Sequence, residues 1–199
     1  MTVSATLAAL VVFSFVSSIT PGPNNMMLLA SGVNFGFRRT IPHMLGIGGG
    51  FVVMTAMIGL GLGQVFVRFP ALYTGLKIAG ALYMLWLAWK IATSGSVKEG
   101  AAPARPLTFL GAAAFQWVNP KAWMMAVTAV ATYALTDSPT LNALIVAGVF
   151  GAVNLPSVSV WAAFGTGLRQ WLQDPRWLRA FNWTMAAALV LSLWPMLAA

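Results

Sequence analysis

The amino-acid sequence predicts an all-α polytopic membrane protein, in which six transmembrane helices form two inverted three-helix repeats and the first helix of each repeat is interrupted. Three observations predict this fold class. Apolar residues make up 59% of the chain and charged residues only 7%. The apolar residues form six runs long enough to cross a bilayer. Two interruptions, at Pro21 and Pro120, stand about half the chain apart.

The composition excludes most other classes of protein. Soluble domains contain about 25% charged residues and roughly 45–50% apolar residues with glycine included. So few charges cannot cover the surface of a soluble domain, and a disordered chain has far fewer apolar side chains. The chain has no cysteine, which excludes disulfides, thiolate metal sites and a cysteine nucleophile.

Each apolar run contains roughly the 20 residues that a helix needs to cross the hydrocarbon core. The runs cover residues 3–31, 42–66, 70–92, 107–134, 141–168 and 177–198. Because they use most of the chain, we expect residues 1–199 to form a single transmembrane domain, with repeat 1 at about 1–100 and repeat 2 at about 101–199. The first run is too long for a signal peptide and lacks a basic start, so we expect it to remain as a helix.

The net charge of +8 is best explained as a topology signal. In a soluble protein it would suggest nucleic acid, but here the basic residues form no stripe, so we expect no nucleic-acid partner. Most of them fall in or beside the first, third and fifth connections: Arg38, Arg39, Lys90, Lys98, Arg105, Arg169, Arg176 and Arg179. The positive-inside rule therefore places these connections in the cytoplasm and both termini outside.

The first run contains a cluster of helix-breaking and polar residues. They are Pro21, Gly22, Pro23, Asn24 and Asn25. Proline lacks the amide donor and clashes with the preceding helical turn, so the helix breaks here. Since threonine is a good N-cap and proline suits the first helical position, we expect Thr20 to cap a second half-helix that starts at Pro21.

The fourth run contains a matching break, with Gln116 and then Asn119, Pro120 and Lys121. Here Asn119 is the expected N-cap. Three spans in each half invert the second half relative to the first. Broken helices at corresponding positions are typical of inverted-repeat transporters, whose binding site lies where the breaks meet. The alternative is a pair of structural kinks, because proline is common in membrane helices.

Lys121 lies far from either end of its run. A lysine at that depth costs roughly 2.5–3.5 kcal/mol on insertion scales, so it ordinarily faces a wet cavity or a partner. No Asp or Glu lies within any run. The carboxylate of a visiting amino acid would suit this lysine and the two half-helix N-termini. The alternatives are that Lys121 bonds carbonyls exposed at the break, or loses its charge on burial.

Five amides at membrane depth are further binding candidates. They are Asn24, Asn25, Gln116, Asn119 and Asn154. Their alternative role is to satisfy backbone groups that the breaks set free. Asn154 precedes Pro156, and we expect a third irregularity there. His43 opens the second run near its cytoplasmic edge, and as the single histidine it could titrate near neutral pH. Its alternative role is that of an ordinary boundary residue.

Several segments together resemble the LysE/RhtB superfamily of bacterial amino-acid exporters. They are Pro21-Gly22-Pro23, the glycine-rich second run from Gly46 to Gly50, Gly80-Ala81-Leu82-Tyr83 and Asn119-Pro120-Lys121. Pro-Gly-Pro-Asn-Asn and the segment from Trp86 to Ser94 are most similar to the branch that exports cysteine and O-acetylserine. The resemblance implies proton-driven efflux of amino acids across the bacterial inner membrane. The candidates to carry the coupled proton are Lys121, His43 and the substrate itself. Some relatives that export lysine or arginine carry an intramembrane acid, so its absence here suggests a neutral or zwitterionic substrate.

The leading hypothesis is therefore a secondary transporter that works by alternating access around the two breaks, with an amino acid, protons and the lipid bilayer as its partners. An intramembrane serine hydrolase would have Ser14, Ser17, Ser18 and His43, but no carboxylate stands near to orient the histidine. A channel or membrane scaffold is the third class. No motif requires a metal, a nucleotide or an organic cofactor, and small-residue helix faces permit a homodimer.

Overall fold

The structure is a computed structural model that describes residues 2–94 and 105–194, without the side chains at positions 66, 67, 70 and 73. Lys98 and the end of the sixth predicted run lie outside these residues. Within them the chain is helical and contains no β-strand. The helices are α1 (Val3–Ile19), α2 (Pro23–Phe35), α3 (Phe37–Met57), a π-helical turn (Ile58–Leu62), α4 (Gly63–Arg68), α5 (Pro70–Ala92), α6 (Phe109–Gln116), α7 (Pro120–Thr132), α8 (Pro139–Leu168) and α9 (Pro175–Leu191).

Three helical segments of the described residues are long and apolar enough to cross a membrane: Phe37–Val65, Thr74–Ala92 and Pro139–Leu168. Helices α1 and α2 pass the same test together and would add a fourth span, which is bent by 55° at their junction. The fourth and sixth predicted runs contain shorter helices, α6, α7 and α9, of 8, 13 and 17 residues. The chain is thus a multi-pass membrane protein, and six spans remain a prediction.

Helix α3, which contains the second predicted span, begins at Phe37, earlier than the sequence predicted. Gly36 alone connects α2 to α3, with φ at 80°, in the left-handed region that glycine adopts without a steric cost. Arg38 and Arg39 therefore lie in the first turn of α3 rather than in a connection. Pro42, the predicted start of the span, lies inside the helix. His43 is consequently almost two turns from the helix start.

Glycines bring two pairs of helices into backbone contact. A Cβ on Gly32 of α2 would collide with the backbone of α8, and one on Gly165 of α8 would collide with the backbone of α2. Gly46 and Gly50 of α3 lie equally close to the backbone of α6. Small residues permit this close approach of helices in a membrane. These contacts hold the helices that surround the two breaks.

Helix α8 packs against α1, α2 and α3, while α5 packs along α9. The expected irregularity at Asn154-Leu155-Pro156 is wrong, because α8 continues through Pro156 without interruption. Serine hydroxyls in a helix often bond back to the carbonyl one turn earlier. Here Ser157 and Ser159 each donate to the carbonyl four residues earlier, at 2.7 Å in both cases.

Candidate functional site

The first break lies between α1 and α2. Helix α1 ends at Ile19, the backbone is extended at Thr20 and Gly22, and α2 begins at Pro23. The prediction that Thr20 caps the second half-helix is wrong. Its hydroxyl donates backwards to the carbonyl of Ser17, at 3.0 Å, and Gly22 occupies the N-cap position without a side-chain bond. The segment offers two prolines as the first helical residue, and the helix starts at the second.

The second break, between α6 and α7, has the geometry that the sequence predicted. Helix α6 ends at Gln116, and Asn119 caps α7 with an extended backbone. The Asn119 side-chain oxygen accepts a hydrogen bond from the amide of Lys121 at 3.1 Å. Pro120 is the first residue of α7, where its missing amide leaves no hydrogen bond unmade.

The Lys121 side chain joins the second break to the first. Its Nζ donates to the carbonyl of Thr20 at 2.7 Å, to the Thr20 hydroxyl at 3.0 Å and to the carbonyl of Pro21 at 3.2 Å. Gly22 makes room for the lysine, because a Cβ at that position would lie 2.6 Å from Lys121 Cδ. In this conformation Lys121 thus bonds the carbonyls exposed by the first break, one of the alternatives that the sequence left open.

A pair of amides makes a second connection between the breaks. Asn24 Nδ2 donates to Gln116 Oε1 at 2.8 Å, and Gln116 Nε2 donates back to Asn24 Oδ1 at 3.1 Å. Gln116 Nε2 also donates to the carbonyl of Ala112, at 2.9 Å. Gln116 is fully buried, and these bonds satisfy its amide inside the membrane domain.

Other side chains bind the end of α1. Asn25 Nδ2 donates to the carbonyls of Ser18, at 2.9 Å, and Thr20, at 2.7 Å. Trp161 of α8 donates to the carbonyl of Ile19 at 3.0 Å, and Asn154 donates to the Ser18 hydroxyl at 3.0 Å. The side-chain oxygens of Asn25 and Asn154 are buried and accept no hydrogen bond within the described part of the chain. Two acceptors are therefore left free beside the lysine.

These side chains surround a small central cavity. It is lined by Ser17, Ser18, Gly22, Asn24, Asn25, Phe51, Asn119, Lys121, Ala122, Met125, Asn154 and Val158. Its volume is about 20 Å³. A water molecule needs roughly 10–15 Å³ by the same measure, so the cavity has room for about one. In this arrangement of the breaks, the cavity is therefore too small for an amino acid.

Six of the ten predicted binding residues line the central cavity. The other four, Pro21, Pro23, Gln116 and Pro120, lie at the breaks but are not among its lining residues. Sequence reasoning missed the apolar lining of Phe51, Met125 and Val158, which carries no local signal because such residues fill every helix. It also considered Ser17 and Ser18 only as nucleophiles, although their position one turn before the break is a signal for the site.

His43 does not belong to the central cavity. It is only 2% exposed, on α3, and neither of its ring nitrogens has a hydrogen-bond partner in the described residues. It is therefore a buried polar residue and not the boundary residue that its position in the predicted run suggested. It lines a different cavity, at the ends of α2 and α5.

The sequence of residues 15–193 matches the LysE type translocator family. The chain is 37% identical over 137 residues to proteins named cysteine/O-acetylserine efflux protein in Escherichia coli, Shigella sonnei and Salmonella typhimurium. In each case the match covers 68% of this chain and 69% of the relative. No solved structure is significantly similar to it.

Proposed function

This chain belongs to the LysE type translocator family, and from that premise we propose that it exports a small neutral or zwitterionic amino acid. Cysteine and O-acetylserine are the first candidates, since the similar efflux proteins carry those two names. The proposed location is the bacterial inner membrane. Both termini face the outside in this proposal, because the basic residues gather at the connections of the opposite face.

The observation that carries the proposal is the position of Lys121 between the two breaks. Among the described residues, its ammonium group bonds neutral backbone and hydroxyl oxygens only. The acidic residues of the described chain, Asp137 and Asp174, lie in or beside connections, away from the central cavity. The lysine charge is thus available to a carboxylate that enters the cavity. The half-helices α2 and α7 both begin at this point, and their N-termini add positive potential.

The polar groups around Lys121 suit the rest of an amino acid. The free side-chain oxygens of Asn25 and Asn154 are acceptors for an ammonium group. A carboxylate at Lys121 and an ammonium group at these oxygens give the site one partner for each charge of a zwitterion. A cationic side chain has no acidic partner there, which favours neutral substrates such as cysteine, O-acetylserine, threonine and homoserine.

The transport mechanism that we propose is alternating access between two inverted repeats of three spans each. Three contacts support the repeat: the first break lies against the second, α3 packs on α8, and α5 packs on α9. A two-fold axis in the membrane plane would produce such pairing of corresponding spans. The central cavity holds about one water, so substrate binding requires the breaks to separate. Proton coupling belongs to this proposal, with Lys121 and His43 as the candidate carriers.

The test is amino-acid exchange in proteoliposomes that contain the full chain. The vesicles are preloaded with cysteine, O-acetylserine, threonine, homoserine or lysine, with and without a proton gradient. We expect exchange of cysteine or O-acetylserine that a proton gradient accelerates, and no exchange of lysine. Absence of exchange for every amino acid, in protein that remains folded and inserted, would contradict the proposal. A conductance far above carrier turnover would indicate the channel alternative instead.

A further inference from the structure

A second cavity lies at the ends of α2 and α5, next to the segment that precedes α6. Its volume is about 150 Å³, compared with about 20 Å³ at the breaks. A cavity of about 150 Å³ in another protein holds a benzene molecule, so this one accommodates a small amino acid. Its wall includes Ser31 and Asn34 of α2, His43 of α3, Lys90 of α5, Ser94 in the turn after α5, and Arg105. We call it the basic-side cavity.

The charge of the basic-side cavity has one sign. Lys90 and Arg105 line it, both with exposed side chains, and no acidic residue is among the described residues of its wall. The Lys90 ammonium group lies 4.6 Å from the centre of the Trp86 ring, which holds it at the protein surface. A concave site whose described wall carries two cations and no anion attracts a carboxylate.

The inner wall of the cavity holds an unsatisfied polar side chain. His43 is 2% exposed, and neither ring nitrogen has a hydrogen-bond partner in residues 2–94 and 105–194. An imidazole offers at least one donor in either protonation state. Buried polar groups are almost always hydrogen-bonded, so a bare imidazole facing a cavity indicates a ligand that supplies the missing bond.

The neighbouring amides, by contrast, are already satisfied. Asn34 Nδ2 donates to Asn182 Oδ1 at 2.7 Å, and Asn182 Nδ2 donates back at 3.1 Å. Asn182 also donates to the carbonyl of Ser94, at 2.8 Å. These bonds join α2, α9 and the end of α5, and so fix the wall of the cavity. The polar side chain left for a ligand at the inner end is that of His43.

We infer that the basic-side cavity is a second binding site for the transported amino acid, which lies with its carboxylate toward Lys90 and Arg105 and its other polar groups within reach of His43. This inference rests on the proposed function, because it names the place where the substrate first binds. The cavity opens on the face of the first and third connections, the cytoplasmic face in that proposal. The substrate would bind there while the central cavity is too small to admit it.

The single histidine of the chain makes a direct test possible. The full chain, purified through a tag without histidine, is labelled with ¹³C and ¹⁵N in histidine only. The ring signals of His43 are then recorded by NMR during titration with O-acetylserine. We expect a saturable change in these signals. The same change should remain in Lys121→Met, because that lysine belongs to the central cavity.

Two exposed cations provide the matched variants. Arg105→Gln should weaken the His43 response to O-acetylserine by about tenfold, since it removes a carboxylate partner. Arg176→Gln removes the same charge from the same face but outside the cavity, and should leave the response unchanged. A response that disappears in Lys121→Met and persists in Arg105→Gln would overturn the inference, because His43 would then be reporting on the central cavity.

Two further outcomes separate this inference from its premise. If the wild-type chain exchanges amino acids but O-acetylserine leaves the His43 signals unchanged, the second site is wrong and the proposed export stands. If the wild-type chain exchanges no amino acid at all, the proposed export is wrong, and the second site then has no transported substrate to bind. Acetate at the same concentration is the control for small anions, and an equal response to acetate would overturn the assignment to an amino acid.

Discussion

Both helix breaks expose backbone carbonyls inside the membrane domain. The two breaks differ in the groups that donate hydrogen bonds to these carbonyls. At the second break the donors are local. The carbonyls of residues 114, 115 and 116 accept from the backbone amides of residues 117, 118 and 119. The Trp117 carbonyl accepts from the Trp123 side chain at 2.8 Å. These four carbonyls of the second break thus find their donors within residues 117–123.

The first break depends on donors from other helices. Its carbonyls at residues 18, 19, 20 and 21 accept from side chains, namely Asn25 of α2, Trp161 of α8 and Lys121 of α7. Two prolines and an extended glycine leave this segment with carbonyls but few amides of its own. The first break is therefore rich in acceptors, and the second break supplies a cation to it.

The proposed mechanism uses this difference to couple the breaks. A substrate carboxylate that attracts Lys121 also removes the lysine from the carbonyls of Thr20 and Pro21. Unsatisfied carbonyls in a membrane are costly, so the first break has to rearrange when the lysine leaves. The central claim of our account is that Lys121 alternates between the first break and the substrate. The following variants test the comparison, from the largest expected effect to the smallest.

Gly22→Ala should have the largest effect, on transport. A Cβ at residue 22 would lie 2.6 Å from Lys121 Cδ and 3.1 Å from Nζ, so the flexible lysine side chain has to move away. We expect exchange to fall by about tenfold or more, and thermal stability to fall as well, because the carbonyls of Thr20 and Pro21 lose the lysine donor. Gly75→Ala is the matched control, since a Cβ there meets nothing within 4 Å. Equal exchange rates in the two variants would show that the lysine position is unimportant.

Asn25→Ala should destabilise the first break. Asn25 is 2% exposed and satisfies the carbonyls of Ser18 and Thr20, so its removal leaves a buried acceptor without a donor. We expect the free energy of unfolding in detergent to fall by about 1–3 kcal/mol. The exposed amide Gln64→Ala should change it by less than about 0.5 kcal/mol. A loss no greater than that of the control would remove Asn25 from the support of this break.

Asn119→Ala should have the smallest effect, because the second break retains its local donors. Loss of an N-cap costs about 1 kcal/mol of stability. Ser138→Ala removes the N-cap of α8 outside the site and should cost a similar amount. Exchange assays separate the two, because only Asn119 lines the central cavity. If both variants transport equally well, Asn119 is a cap and not a binding residue.

Local rules predicted the second break well and the first only in part. At the second break, the Asn119-Pro120 dipeptide is enough to predict where α7 begins, because asparagine is the N-cap and proline occupies the first helical position. The first break offers two such positions, at Pro21 and Pro23, and sequence rules do not choose between them. Of the donors that complete it, Asn25 is local, but Lys121 and Trp161 come from distant helices. No local pattern at Trp161 indicates a bond to the carbonyl of Ile19.

The role of His43 was missed for a related reason. The predicted run began at Pro42, which made His43 a boundary residue. Helix α3 begins at Phe37 because the turn at Gly36 needs only one residue. That shift of five residues carries the histidine inside the fold. Its cavity is built from α2, α3 and α5 and from the segment before α6, so its formation depends on tertiary packing.

The most direct test of the central claim is exchange of O-acetylserine by Lys121→Met compared with Lys77→Met in the same proteoliposomes. Lys77 is also a partly buried lysine within a membrane helix, α5, but it lines neither cavity. Our account predicts that Lys121→Met loses exchange to background while remaining folded and inserted, and that Lys77→Met retains the wild-type rate. Wild-type exchange by Lys121→Met would contradict the account, because transport would then proceed without the lysine that joins the two breaks.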